Sequence, residues 1–154
     1  MTPSKVYVAL RVNATPERAF EAFVGEIGQW WRPSMLFETT PRPGMLSFEP
    51  GPQGRLIETR ASGKVFEIGK VRAWEPPHRL VFSWRQANFP LDLHTEVEVC
   101  FEAVGEETRV SIEHHGFDQV PAGAARHGFP DEVLLMRLAD FWRAQIAALG
   151  EAAT

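Results

Sequence analysis

Two side chains in this sequence could move a proton beside an apolar surface, His114 and Glu58. His114 closes the alternating run Val110-Ser111-Ile112-Glu113-His114, so by strand parity it shares a face with Val110 and Ile112. An imidazole in that place has two readings. Either hydrogen bonds near a covering element hold it neutral, or it is a handle or general base for a ligand, with a pKa tuned by burial. Glu58 ends the stretch Gly54-Arg55-Leu56-Ile57-Glu58, on the side of Leu56 and opposite Ile57. It either pairs at the surface with Arg60, Lys70 or Arg72 or enters the interior, where it could form an acid/base pair with His114.

The other reactive residue types point away from catalysis. His78 stands beside prolines, His94 at a strand start and His115 on the polar side of its strand, so all three read as solvated. A metal held by His114, His115 and His127 is opposed by geometry, because adjacent strand residues face opposite ways, and no metal is expected. Cys100 is the only cysteine, which excludes an internal disulfide and a thiolate zinc site. It alternates with Val99 and Phe101 onto the wet side, with nothing to make it a nucleophile. There is no Gly-x-Ser-x-Gly elbow, phosphate loop or dinucleotide fingerprint, and no cofactor is expected.

The elements that must position these groups can be read from period and punctuation. Val6, Val8, Leu10 and Val12 alternate with polar or small residues and predict a first strand. Thr15-Pro16-Glu17 is a helix start, and Ala19, Phe20, Phe23 and Ile27 give an apolar stripe that Gly25 and Gly28 break into two short helices. Strands are then predicted over 45–49, 56–60, 65–74, 79–85, 94–103 and 108–115, separated by Gly, Pro and Asn clusters. In the last two, Val97, Val99 and Phe101 face opposite to Glu96, Glu98 and Glu102, which makes one sheet face dry and the other wet. A long helix is predicted over 131–149, capped by Asp131 and stopped by Gly150, with Leu134, Leu138, Phe141, Trp142, Ile146 and Leu149 as its stripe.

With 154 residues the chain has the length of one domain, 1–154, with one core. Sixteen Lys and Arg against twenty Asp and Glu, with no basic run, exclude the electrostatic footprint of a nucleic-acid binder. No apolar stretch reaches the roughly 18 residues of a membrane span, and neither a leader nor membrane insertion is expected, so the cytoplasm is the expected location. Five Trp and eleven Phe against one Tyr supply rings that fill a core or line a pocket.

Four stretches carry a family likeness. They are Ala14-Thr15-Pro16-Glu17-Arg18-Ala19-Phe20 with Trp30-Trp31; Gly54 to Glu58; Gly69-Lys70-Val71-Arg72-Ala73-Trp74-Glu75-Pro76-Pro77-His78-Arg79-Leu80-Val81-Phe82-Ser83-Trp84; and Glu107-Thr108-Arg109-Val110 with His114-His115-Gly116-Phe117. Together they resemble the START-like, or SRPBCC, helix-grip superfamily of birch-pollen allergens and polyketide cyclases. Within it the chain is similar to small bacterial proteins related to the C-terminal domain of the activator of heat-shock-protein-ninety ATPase.

The resemblance implies an α+β helix-grip fold: a curved seven-stranded antiparallel sheet, two short helices after strand 1, and a long C-terminal helix across the concave face. It implies a cavity between helix and sheet, lined by Trp30, Phe37, Phe48, Ile57, Phe66, Phe82, Trp84, Val97, Val99, Ile112, His114, Phe129, Leu134, Leu138 and Phe141; the opposing reading is that these residues fill a solid core. The function implied is binding of a small apolar or aromatic ligand. Alternatives are an enzyme of the polyketide cyclase, aromatase or hydrolase type using His114 and Glu58, and a co-chaperone-like interaction module. The separate N-terminal domain of the co-chaperone is not found in this sequence, which argues against a chaperone partner. A homodimer through a strand edge or the first helix pair is a further arrangement open to the fold.

Overall fold

The computed structural model describes residues 5–32, 45–49, 51–85, 95–116 and 131–153, the first four of the last range by backbone alone. The chain runs β1 (Lys5–Val12), α1 (Pro16–Gly25), α2 (Ile27–Trp30), β2 (Met45–Phe48), β3 (Arg55–Thr59), β4 (Val65–Glu75), β5 (Arg79–Trp84), β6 (Thr95–Val104), β7 (Glu107–His115) and α3 (Asp131–Ala153). The seven strands form one antiparallel sheet in the order β1-β7-β6-β5-β4-β3-β2, so only β1 leaves its sequence neighbour, to pair with the last strand. Fold class and element order are those expected, with strand limits displaced by one residue at most.

Local sequence explains the helices. Thr15 caps α1 by accepting from the Arg18 N–H at 3.2 Å, Pro16 takes the first turn where a missing donor costs nothing, and Ala19, Phe20, Ala22 and Phe23 are buried. Phe20 and Phe23 meet Phe101 at 5.2 and 6.1 Å, and Phe23 meets Phe48 and Phe82 at 6.0 and 6.3 Å, so α1 plugs the concave side. From α3, Leu138, Phe141, Trp142, Ile146 and Leu149 close over it.

Gly150 does not stop α3, which continues to Ala153. A Cβ at Gly150 would stand 3.2 Å from Val12 Cγ1, so glycine here lets the helix approach β1, a requirement that looks the same in sequence as a helix stop. The dry and wet faces hold except in β5, where Val81 and Ser83 are buried as well as Leu80, Phe82 and Trp84. Lys70 N donates to Ser83 Oγ at 2.9 Å, and a Cβ on Gly69 would fall 1.6 Å from the Ser83 carbonyl oxygen, so β4 and β5 press together at a place only glycine permits. Irregular register on both sides of this point bends the β2-β3-β4 wing relative to the rest.

The two ends of the sheet differ. At one, short turns join β2 to β3, β4 to β5 through Pro76 and Pro77, and β6 to β7 through Gly105 and Glu106. At the other, β7 and β5 end while β1 and β6 begin, with Lys5 and Glu96 opposite His115 and Thr95 opposite Trp84. Residues 86–94 join β5 to β6 at this second end, 117–130 leave β7 there, and 33–44 enter β2 there. Both candidate chemical groups sit at this end.

Candidate functional site

The floor of the interior is a cross-strand row, Val6, His114, Val97, Phe82 and Val71, flanked by the row Val8, Ile112, Val99 and Leu80. Every one of these side chains is buried. The expected lining residues Phe82, Val97, Val99, Ile112 and His114 are therefore brought together, with Trp84 beside them and Leu138 and Phe141 above.

His114 is wholly buried, and both ring nitrogens are engaged. Trp142 Nε1–H, which can only donate, reaches Nδ1 at 3.1 Å. Nε2 lies 2.6 Å from Thr95 Oγ1, and that hydroxyl stands 3.2 Å from the Trp84 carbonyl oxygen. The Thr95 proton goes to the carbonyl, so the imidazole proton sits on Nε2, and one chain of donors runs from Trp142 through His114 and Thr95 to Trp84. Burial, and secondarily the charge of His115, push the His114 pKa down to about 3. The structure therefore favours the neutral, hydrogen-bonded reading of His114. A general base needs a free lone pair, and here Nδ1 already accepts from Trp142.

Glu58 is not the surface glutamate of the first alternative: it is 1% exposed, on the buried side of β3 with Leu56. It faces Leu46 on one side and Phe66 on the other. It does not form the expected pair with His114, whose two nitrogens are held by other residues. The strands carrying them are four places apart in the sheet, roughly 19 Å along it at ~4.8 Å per strand. Ile57, expected in the lining, is half-buried on the other side of β3, because the register that turns Leu56 and Glu58 inward turns it outward. Phe48 and Phe66 are half-buried on the inner side of the wing. Phe37 and Phe129 lie outside the described residues, as does the Leu134 side chain.

Trp30, also expected in the lining, packs on Phe23 at 5.2 Å and donates to the Ala22 carbonyl at 2.8 Å, on the α1 side of the core. Its neighbour Trp31 enters the cluster instead, 5.7 Å from Trp84, 5.6 Å from Phe141 and 5.9 Å from Trp142, and it remains half-buried. Gln145 fixes this corner: it accepts from Arg32 N at 3.0 Å and donates to Arg32 O at 2.6 Å. Sequence reasoning missed Trp31, Thr95 and Gln145. A polar residue inside the α3 stripe was the available signal for Gln145; none existed for Thr95, whose role depends on the residue facing it.

Cys100 is half-buried on the outer side, its pKa raised by burial and then by Glu98, as fits an inert thiol. Among the described residues no three His, Cys, Asp or Glu gather as metal ligands, and no helix is long and apolar enough to cross a membrane.

A family model described as Activator of Hsp90 ATPase homolog 1-like protein matches residues 13–142. No curated protein matches the sequence. Among solved structures, an anthrahydroquino-gamma-pyrone synthase is similar at 28% identity and TM-score 0.57, covering 98% of this chain and 97% of that one. A protein from Mesorhizobium loti aligns at 20% identity and TM-score 0.66 over 96% and 95%. An HSP90 activator from Plasmodium falciparum aligns at 18% identity and TM-score 0.62 over 90% and 87%.

Proposed function

The chain belongs to the Activator of Hsp90 ATPase homolog 1-like family, with the helix-grip fold of the SRPBCC proteins, and on that premise we propose that it binds a small aromatic molecule between α3 and the concave sheet. The observation that carries this reading is the set of half-buried aromatic rings packed against the core, Trp31, Phe48 and Phe66. Deeper in, Phe23, Phe82, Trp84 and Trp142 are sealed. Aromatic walls with few polar groups suit a flat apolar ligand. The likeness to a synthase of a polycyclic aromatic product supports the same ligand class.

That likeness also brings the enzymatic reading, a synthase acting on an aromatic substrate. In this chain it would rest on Glu58 rather than His114, since the imidazole is held at both nitrogens. Chaperone activation has less support: the exposed large apolar residues described, Tyr7, Met45, Val65 and Met136, are spread over four elements.

Titration with 1,8-dihydroxyanthraquinone, followed by tryptophan fluorescence and thermal unfolding, tests the binding reading. Saturable quenching and a rise in Tm that grows with ligand concentration are expected, about 2.7 kcal/mol of stabilisation at a hundredfold excess over Kd. No quenching and an unchanged Tm up to the solubility limit would remove the reading.

A further inference from the structure

Six of the described arginines hold a carboxylate: Arg11 is paired with Glu107, Arg18 with Glu26, Arg32 with Glu151, Arg55 with Glu49 and Glu67, Arg79 with Glu75 and Glu98, and Arg143 with Asp140. Arg60 and Arg85 differ: the Nε of each is buried and has no hydrogen-bond partner among the described residues. Arg60 follows β3 and Arg85 follows β5, both at the second end of the sheet. Arg85 N–H donates to the Ile68 carbonyl at 2.7 Å, which places it beside β4, and its guanidinium carbon lies 5.8 Å from the centre of the Phe66 ring. Phe66 faces Glu58 across the β3–β4 pair, and Arg60 stands two residues after Glu58, just past the end of β3, with its N–H donating to Lys64 O at 2.9 Å.

A buried donor left unmade is costly, and a guanidinium stacked on a ring presents its N–H edge to whatever lies beside that ring. Phe66 is one of the half-buried aromatics of the proposed ligand site, so a flat ligand against it has its edge next to Arg85. The group that satisfies a guanidinium fork best is a carboxylate, through two parallel N–H···O bonds. Glu58 is 1% exposed and has an interaction of its own, and its carboxylate is not the hydrogen-bond partner of either Nε.

We propose that Arg85, seconded by Arg60, is an anion-recognition rim of the aromatic interior, so that the ligand is an aromatic carboxylic acid bound with its ring against Phe66 and its carboxylate on the guanidinium. This rests on the small-molecule reading above. Calorimetric titration of the wild-type chain with 9-anthracenecarboxylate and with the neutral 9-anthracenemethanol separates the two claims. The carboxylate is expected to bind about tenfold tighter or more, with the preference shrinking as NaCl is raised. Arg85→Gln should bring the two ligands within about twofold while the neutral one keeps its affinity, and Arg60→Gln should reduce the preference in part. Equal affinities in the wild type, or a preference unchanged in both variants, would overturn the anion rim and leave the aromatic site standing. Failure of both compounds to bind the wild type would overturn both.

Discussion

Among the described residues, two buried acid or base groups, His114 and Glu58, sit at the same end of one sheet in different surroundings. His114 lies under α3 in the β1-β7-β6-β5 half, where Trp142, Thr95 and the Trp84 carbonyl use its hydrogen-bonding capacity in a single chain. Glu58 lies in the β2-β3-β4 wing, which has bulged register and half-buried rings, and near which the Nε of Arg60 and of Arg85 has no hydrogen-bond partner among the described residues. The difference teaches that burial alone does not mark a functional group. A buried imidazole with both nitrogens engaged acts as a structural joint between helix and sheet. A region whose polar and aromatic atoms are left partly unmatched is where a ligand would find something to do.

The comparison breaks first if the joint is dispensable. Trp142→Ala is expected to destabilise by about 3–5 kcal/mol from the lost ring and cavity, read by denaturant unfolding. Trp142→Phe, which keeps the ring but removes the donor to Nδ1, is expected to cost about 1–3 kcal/mol. Near-wild-type stability in Trp142→Phe would mean that the chain of hydrogen bonds is incidental.

A smaller effect follows from the depressed His114 pKa. The native imidazole stays neutral while the unfolded one, with a pKa near 6.5, takes a proton, so stability is full above about pH 6.5 and falls as pH drops towards about 3. The slope has a ceiling of about 1.4 kcal/mol per pH unit from this group. Thermal unfolding of wild type and His114→Gln between pH 7 and 5 should show a shallower loss in the variant. Parallel curves would place the imidazole in contact with water and erase the contrast with the wing.

The smallest expected effect sharpens the other side. Arg85→Gln should change stability by no more than about 1 kcal/mol, because only the contact with Phe66 is lost. A loss of several kcal/mol would make the wing as structural as the joint.

Much of this was legible in the sequence, for reasons that can be named. The strand limits followed from period-two alternation, and the burial of His114 from its parity with Ile112. What His114 does was not legible, since its partners come from α3, 28 positions away, and from the facing strand. The side of Glu58 was left open because β3 has five residues and its orientation is settled by pairing with β4 rather than by its own pattern. Sequence reasoning puts Trp30 rather than Trp31 in the lining, because the sequence does not show that adjacent tryptophans after a short helix point to different sides of the core, with Gln145 clamping Arg32 next to the one that meets Trp84 and Trp142.

The pairing of β1 with β7, sealed by α3 where Gly150 admits Val12, also orders events during synthesis. The hairpins from β2 to β7 join neighbours and can form as they leave the ribosome. Strand β1 emerges before all of them, yet its hydrogen-bonding partner begins at Glu107 and the helix that covers it at Asp131. Its valines must wait exposed through most of translation, the long-range closure being the slow step of such topologies. A ribosome stalled before β7 is complete would therefore present β1 as an unpaired apolar strand, and one stalled within α3 would leave its apolar face uncovered, both species open to misassembly or to capture by a chaperone.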